Sequence, residues 1–179
     1  MPLPCRMDTG DILLFDTKSV FSSITKIATR SRWDHVGMIV NLSGELYFFE
    51  ASNTQGVQLS KLGTALDYYR AKSLRIGFRR LYWNCSQQRK RILLKNFLVF
   101  VQEMRGRDYQ GGIRHLLMAA SNTSAQVEES DPVFCSMLVG MALKRLGMLS
   151  PDASDYISPK DVADMSQLHG RESGQFGNV

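Results

Sequence analysis

The sequence predicts one α+β domain in which a small antiparallel sheet or half-barrel packs against a helix that carries a cysteine. Short apolar segments separated by Gly, Asn, Ser and Asp fill the chain up to Phe78, a pattern typical of short strands. Two later segments place apolar residues three and four apart, which is the period of an amphipathic helix. A chain of 179 residues is long enough for one hydrophobic core and short for two.

The strands are assigned from apolar runs that are bounded by turn residues. Five strands are predicted, at Asp11–Phe15, His35–Val40, Leu46–Glu50, Val57–Leu59 and Leu74–Phe78. The run Asn41-Leu42-Ser43-Gly44 lies between the second and third strands and is a hairpin signal, because glycine accepts positive φ. These two strands are therefore expected to be antiparallel neighbours. Between the first two strands, apolar spacing predicts a short amphipathic helix over residues 20–28.

Two longer helices follow the strands. The apolar stripe of Ser86–Arg105 predicts the first, and the polar stretch Ser121–Ser130 reads as a surface loop. Asp131 then offers an N-cap, with Pro132 as the first helical residue and an apolar stripe up to Gly147. Cys135 therefore falls in the first turn of this helix. The domain is assigned to residues 8–165, and residues 166–179, which carry few apolar anchors, are predicted to be a flexible tail.

Composition excludes several classes of protein. Hydrophobic residues make up 44% and charged residues 22% of the chain, so collagen-like, disordered and coiled-coil classes do not fit. A helix that spans a bilayer needs about 18 consecutive apolar residues, and every apolar run in this chain is far shorter. The N-terminal residues lack the basic and apolar regions of a signal peptide, so a cytoplasmic location is expected.

The net charge of +5 raises the question of a polyanionic partner. Much of the positive excess lies in two short clusters, at 70–80 and 89–95. Such clusters are most often solvated faces. Nucleic acid is therefore not the expected partner, while peripheral contact with an anionic membrane stays open.

Cysteine usage argues against a disulfide framework and a zinc ribbon. The three cysteines, Cys5, Cys85 and Cys135, are odd in number, widely spaced and without a CxxC pair. No metal and no other cofactor is predicted.

Cys135, His35 and Glu50 are the candidate catalytic residues. A thiol in the first turn of a helix meets unpaired N–H groups that favour the thiolate, although a free cysteine often only packs in the core. His35 begins an apolar strand and offers an imidazole that could take the thiol proton. Glu50 ends the neighbouring strand and could orient that imidazole. Asp34 is a competing orienter, but adjacent strand residues point to opposite faces, which favours Glu50.

Seven short motifs occur in an order that is similar to a known family. They are Gly10-Asp11-Ile12-Leu13, Asp34-His35-Val36-Gly37, Phe49-Glu50-Ala51, Gly56-Val57, Gly106-Arg107-Asp108-Tyr109, Phe134-Cys135-Ser136-Met137-Leu138-Val139 and Ser158-Pro159-Lys160-Asp161. The order resembles the circularly permuted, papain-like NlpC-type cysteine hydrolases, specifically their YiiX-like branch. In the permuted members the histidine strand precedes the cysteine helix, as it does here.

The resemblance implies a role for each matching residue. Cys135 would be the nucleophile, His35 the general base and acid, and Glu50 the residue that orients the imidazole. The backbone N–H of Cys135 would help to hold the oxyanion, and Tyr109 and Ser136 are further oxyanion or substrate candidates. Met137 stands where relatives often carry Glu or Gln, so that side chain has no implied polar role.

The implied activity is hydrolysis of an amide, isopeptide or acyl bond through a thioester on Cys135. The substrate is a peptide, amide or acyl-bearing molecule that the sequence does not identify. Two alternatives stay open. One is a thiol acyltransferase of the lecithin:retinol acyltransferase type, and the other is a non-catalytic binding module that uses its basic surface.

Overall fold

The computed structural model describes residues 6–18, 31–109 and 133–166, and the backbone of 168–169. Over these residues the strands are β1 (Ile12–Thr17), β2 (His35–Leu42), β3 (Glu45–Ser52), β4 (Gly56–Lys61), β5 (Ser73–Leu81) and β6 (Leu168–His169). The helices are α1 (Leu62–Lys72), α2 (Gln87–Met104), α3 (Cys135–Arg145) and α4 (Pro159–Asp164). The α+β class is thereby confirmed. The helix predicted over 20–28 and the loop predicted over 121–130 lie outside the described residues.

The strands form one antiparallel sheet with the order β4-β3-β2-β1-β5-β6. Each of the five predicted strands corresponds to one observed strand, β1 to β5. The predicted hairpin is also confirmed, because Ser43 and Gly44 form the turn between β2 and β3 with φ of 54° and 93°. Positive φ at both positions is the geometry that matches the twist of a tight hairpin.

Helices cover both faces of the sheet. On β1, alternate residues serve opposite faces, so Ile12 and Leu14 join one core cluster while Leu13 and Phe15 join the other. The first cluster is completed by apolar residues of α2, α3 and α4. The second is completed by α1. Coverage on both sides explains why β1 reads in the sequence as a continuous apolar run rather than an alternating one.

Helix α1 carries no clear sequence signal and was not predicted. It begins after Lys61 without a side-chain cap, and its first turn contains Gly63 and Thr64, which are weak helix formers. Its buried residues are Leu62, Ala65, Leu66 and Tyr69. Their packing against the sheet, rather than local propensity, therefore stabilises α1.

The predicted start of the cysteine helix is wrong by three residues. Helix α3 begins at Cys135, with Phe134 at the N-cap. The chain stays extended before it, because Val133 forms a parallel bridge with Tyr109 and donates its N–H to the carbonyl of Asp108 at 3.2 Å. Helix α2, by contrast, follows its prediction within one residue at each end, and the Ser86 side chain caps it by accepting from the N–H of Arg89.

The C-terminal segment contributes a short edge to the sheet. Leu168 and His169 pair with Leu81 and Arg80 of β5, and most of the tail predicted over 166–179 lies outside the described residues. Within the part of the chain that the structure describes, no helix is long and apolar enough to cross a bilayer.

Candidate active site

His35 and Glu50 meet where the pairing of β2 and β3 ends. The paired residues run from Leu42↔Glu45 to Met38↔Phe49, and both site residues lie beyond the last pair. There the Nε2 atom of His35 lies 2.6 Å from Oε2 of Glu50. The side chains are 12% and 3% exposed, respectively. The predicted contact between these two residues is therefore present as a direct hydrogen bond that is largely buried.

Gly37 permits the close packing behind this pair. A Cβ atom at this position would lie 2.3 Å from the ring of Phe48 and 2.9 Å from the carbonyl oxygen of Phe49. Both distances are shorter than a carbon atom tolerates. A larger residue would therefore push β3 away from β2 next to the hydrogen bond between His35 and Glu50.

The Glu50 carboxylate accepts three hydrogen bonds. Oε2 accepts from His35 and from the hydroxyl of Tyr69, at 2.6 and 2.5 Å. Oε1 accepts from Nε2 of Gln58 at 2.9 Å. Burial raises the pKa of Glu50, but the hydrogen bonds and the charge of the imidazolium outweigh it and hold the pKa below its usual range. Glu50 is therefore an ionised and rigidly oriented group near neutral pH.

Tyr69 and Gln58 belong to this site, and neither was predicted from the sequence. Gln58 lies directly opposite Glu50 in the β3–β4 pairing, so a full strand register would have found it. Tyr69 is the last member of the apolar stripe of α1. A hydroxyl on a buried stripe needs a polar partner, but only the packing of α1 on the sheet shows which partner it is.

Cys135 approaches the imidazole from the other helical layer. It is the first residue of α3 and is 6% exposed. Burial lowers the pKa of His35, yet the negative charge and hydrogen bond of the Cys135 thiolate, together with Glu50, outweigh burial and raise the pKa to about 10. The imidazole thus lies between the Glu50 carboxylate and the sulfur of Cys135. Because Glu50 and Tyr69 engage Nε2, the imidazole meets the thiol through Nδ1.

Tyr109 lies close to the thiol, in the segment that follows α2. This segment is fastened to β4, since Val57 exchanges backbone hydrogen bonds of 2.8 Å with Gly106 and Arg107. Gly56 makes the approach possible, because a Cβ there would lie 2.3 Å from the carbonyl oxygen of Arg107. Burial and the negative charge at Cys135 both raise the pKa of Tyr109. Its phenol therefore remains a protonated hydrogen-bond donor beside the thiol.

Asp34 and Ser136 make contacts that support the frame of the site. The Asp34 carboxylate accepts from the backbone N–H and the hydroxyl of Thr17, at 2.6 and 2.5 Å, and so ties the end of β1 to the start of β2. The Ser136 hydroxyl is fully buried and donates to the carbonyl of Ile157 at 2.5 Å. Glu50 is the carboxylate that bonds the imidazole, as the alternation of strand residues predicts.

Two of the sequence motifs serve the same framing purpose. The Asp11 carboxylate accepts from the backbone N–H groups of Asp8 and Leu81, both at 3.0 Å, and joins the chain before β1 to the end of β5. Ser158 and Asp161 form a reciprocal capping box at the start of α4. That box fixes the segment whose Ile157 carbonyl receives the Ser136 hydroxyl.

Comparisons with known proteins establish the fold. No protein-family model matches the chain, and no curated protein is significantly similar to it in sequence. The crystal structure of the metalloprotein YiiX from Escherichia coli O157:H7 (DUF1105) does match, with a TM-score of 0.63 and 19% sequence identity. The match covers 92% of this chain and 96% of that chain. The protein therefore has a YiiX-like α+β fold.

Proposed function

We propose that this protein is a cysteine-dependent hydrolase of the amidase or peptidase class, which cleaves an amide, isopeptide or acyl bond. The observation that carries the proposal is the contiguous series Cys135, His35 and Glu50, in which the imidazole bonds the carboxylate directly and interacts with the thiol. A thiol, an imidazole and an orienting carboxylate form the arrangement that activates a cysteine nucleophile. The resemblance to the permuted papain-like NlpC-type hydrolases, in which His precedes Cys along the chain, points to the same function.

The first half of the reaction transfers an acyl group to Cys135. The thiolate sulfur attacks the carbonyl carbon, a C–S bond forms, and the carbonyl π electrons move to oxygen. The tetrahedral intermediate then collapses, and the bond to the leaving nitrogen or oxygen breaks. His35, which holds a proton at Nδ1 as an imidazolium, gives that proton to the leaving group. The products are a thioester on Cys135 and a free amine or alcohol.

The second half returns the enzyme to its starting state. His35, now neutral, takes a proton from water as the water oxygen attacks the thioester carbonyl. Collapse of this second intermediate releases the carboxylic acid, and the sulfur leaves as a thiolate beside the re-formed imidazolium. Glu50 keeps the proton on Nε2 throughout, because its carboxylate accepts from that nitrogen.

We assign two donors to the oxyanion. The first N–H groups of a helix have no intrahelical acceptor, and Cys135 is the first residue of α3. The protonated phenol of Tyr109 is the second donor, since it lies within the electrostatic reach of the thiol. Both donors are neutral, and the backbone N–H is fixed by the helix before the reaction begins, as such stabilisation requires.

The description of YiiX as a metalloprotein raises the question of a metal at this site, and the residues that the structure describes around it do not fit one. Among the described residues, no group of three or more His, Cys, Asp and Glu side chains is arranged to hold a metal ion. Glu50 bonds Nε2 of His35 and therefore lies behind the imidazole, away from the thiol. Cys135 and His35 alone would supply two ligands, where a protein zinc site uses three or four.

Acyl transfer is the closest alternative activity. It uses the same thioester, which passes to an amine or alcohol instead of water, so the arrangement of Cys135, His35 and Glu50 serves both reactions equally. The acceptor that releases the acyl group from Cys135 distinguishes them. Adding candidate amines to the isolated thioester and comparing the rate of acyl loss with that in water alone makes this distinction.

A binding module that works through its basic surface is the other alternative. Arg89, Arg91 and Lys95 are exposed on α2, where they could meet an anionic surface. In the other cluster, Arg79 is buried and donates to the carbonyl of Ala163. Only the exposure of these residues supports a binding module, whereas the ionisable side chains of the site converge, so we favour the hydrolase.

The proposal is tested by trapping the thioester. p-Nitrophenyl acetate supplies an activated acyl group, and mass spectrometry of peptides locates the acetyl adduct. We expect rapid release of p-nitrophenolate and an acetyl group on Cys135, with both lost in Cys135→Ala and His35→Ala. Cys85 is an exposed free cysteine, so Cys85→Ala controls for unspecific acetylation and should leave the reaction unchanged. Folded protein that is acetylated no faster at Cys135 than at Cys85 would overturn the proposal.

A further inference from the structure

The hydroxyl of Tyr69 closes a triangle of polar atoms with His35 and Glu50. It lies 2.5 Å from Oε2 of Glu50 and 2.9 Å from Nε2 of His35, and those two atoms are 2.6 Å apart. Tyr69 itself is 6% exposed. A buried hydroxyl in contact with both partners of a hydrogen bond influences the strength and direction of that bond.

The proton positions in this triangle follow from the chemistry of the three groups. Burial and the Glu50 carboxylate both raise the pKa of Tyr69, so its phenol keeps its proton over the working pH range. The phenol donates to Oε2, which also accepts from Nε2 of His35. The lone pairs of the phenol oxygen face the same N–H group. Both neighbours of Nε2 therefore favour a proton on that nitrogen, which leaves Nδ1 for the thiol.

The ring of Tyr69 restrains the plane of the imidazole. Its centroid lies 5.1 Å from that of His35 with 18° between the planes. The Tyr69 ring also stacks on the ring of Phe15, with 4.1 Å between the centroids and 28° between the planes. Phe15 is fully buried in β1, and α1 is held to the sheet by Leu62 and Leu66. The stack thus connects the imidazole to a rigid part of the core.

We propose that Tyr69 is a positioning residue of this site, which orients the His35 imidazole by stacking and holds Glu50 as an ionised acceptor for Nε2 through its hydroxyl. Its effect on catalysis rests on the proposed function. Its effect on the hydrogen bond between His35 and Glu50 does not, and can be measured in a protein that turns over no substrate.

Tyr69→Phe isolates the hydroxyl, because it keeps the ring and both stacks. The carboxylate then loses one of its three donors, so the pKa of Glu50 rises. Protonation of Glu50 breaks its bond to imidazolium, and this event is visible as loss of the downfield Nε2–H proton resonance of His35 in ¹⁵N-labelled protein. The midpoint is the pH at which half of this resonance is lost. We expect the midpoint to move to higher pH by about one unit in the variant, because one charge-assisted hydrogen bond to the carboxylate is removed.

Tyr68→Phe is the matched control. Tyr68 is the neighbouring residue of α1, is 48% exposed, and its hydroxyl accepts from Lys72 at 2.9 Å. Removal of this hydroxyl should leave the midpoint unchanged. An unchanged midpoint in folded Tyr69→Phe would overturn the proposal. If Tyr69→Phe does not fold, 3-fluorotyrosine at position 69 gives a stronger donor of nearly the same shape, and should lower the midpoint; no change there would equally overturn the proposal.

The acetylation assay separates this proposal from the proposed function. In an active protein, we expect Tyr69→Phe to reduce the first-order acetylation rate about tenfold with little change in the half-saturating ester concentration. A shifted resonance in a protein that is never acetylated would support the positioning role and overturn the hydrolase. Normal acetylation of Tyr69→Phe with an unshifted midpoint of its resonance would support the hydrolase and overturn the positioning role.

Discussion

The Nε2 atom of His35 and the Oε2 atom of Glu50 lie 2.6 Å apart, just past the point where β2 and β3 cease to pair. The two side chains belong to adjacent strands and meet there in a direct hydrogen bond. The hydroxyl of Tyr69 reaches both atoms of this bond from α1. The site therefore lies at the end of the β2–β3 pairing, and a helix on either face of the sheet supplies one further residue.

Replacement of Glu50 by Gln should slow acetylation of Cys135 by about a hundredfold. The amide keeps the shape of the carboxylate but removes the charge that stabilises the imidazolium, and it can present an N–H group where His35 needs an acceptor. Acetylation kinetics with p-nitrophenyl acetate measure the effect. Glu45→Gln is the control, since Glu45 lies on the same strand, is exposed and pairs with Lys61. Equal rates in both variants would remove Glu50 from the catalytic arrangement.

The raised pKa of His35 predicts a specific dependence of stability on pH. The pKa of His35 rises from 6.5 in the unfolded chain to about 10 in the folded protein. The stabilisation that this shift provides is complete below pH 6.5 and is lost as the pH rises through about 10. The free energy of unfolding of wild type should therefore fall relative to that of His35→Gln between these values. Urea denaturation of both proteins across that range measures the difference, and a constant difference would contradict the assigned pKa.

The coupling of Cys135 to His35 predicts how the thiol reacts with iodoacetamide. Mass spectrometry can follow alkylation of each cysteine as a function of pH. We expect alkylation of Cys135 near neutral pH to require His35, because the imidazolium stabilises the reactive thiolate. His35→Ala should slow it, while the exposed Cys85 reacts at the same rate in both proteins. Alkylation of Cys135 that is indifferent to His35 would indicate a packed core thiol.

The close approach at Gly37 predicts a large effect from a single methyl group. Gly37→Ala places a carbon against the Phe48 ring and the Phe49 carbonyl, and we expect a loss of about 1–3 kcal/mol in the free energy of unfolding. Gly63→Ala is the matched control, because nothing lies within 4 Å of a Cβ there and alanine is the better helix former in α1. Urea denaturation should show opposite signs for the two variants, and equal effects would refute this account of the β2–β3 packing.

Some parts of the site follow from the sequence because their signals are local. The Ser43-Gly44 hairpin makes β2 and β3 neighbours, which brings His35 and Glu50 to the same end of adjacent strands. The apolar stripe of α3 likewise places Cys135 in a first helical turn. The exact first residue of α3 was not predictable, since Asp131 and Pro132 are a good local start signal. The bridge between Val133 and Tyr109 keeps the chain extended past that signal, and such a contact has no local signature.

The sequence by itself determined the strands β1 to β5, the hairpin, the two long helices and the three residue types from which a thiol site is assembled. These features depend on periodicity and on turn residues, which act over a few positions of the chain. Only the tertiary structure decided that α1 forms, that Tyr69 and Gln58 complete the surroundings of Glu50, and that the thiol of Cys135 meets the imidazole of His35. Those contacts join segments that are distant in the sequence. They form because helices on both faces of the sheet bury its apolar surface, and the free energy of that burial cannot be read from a local sequence pattern.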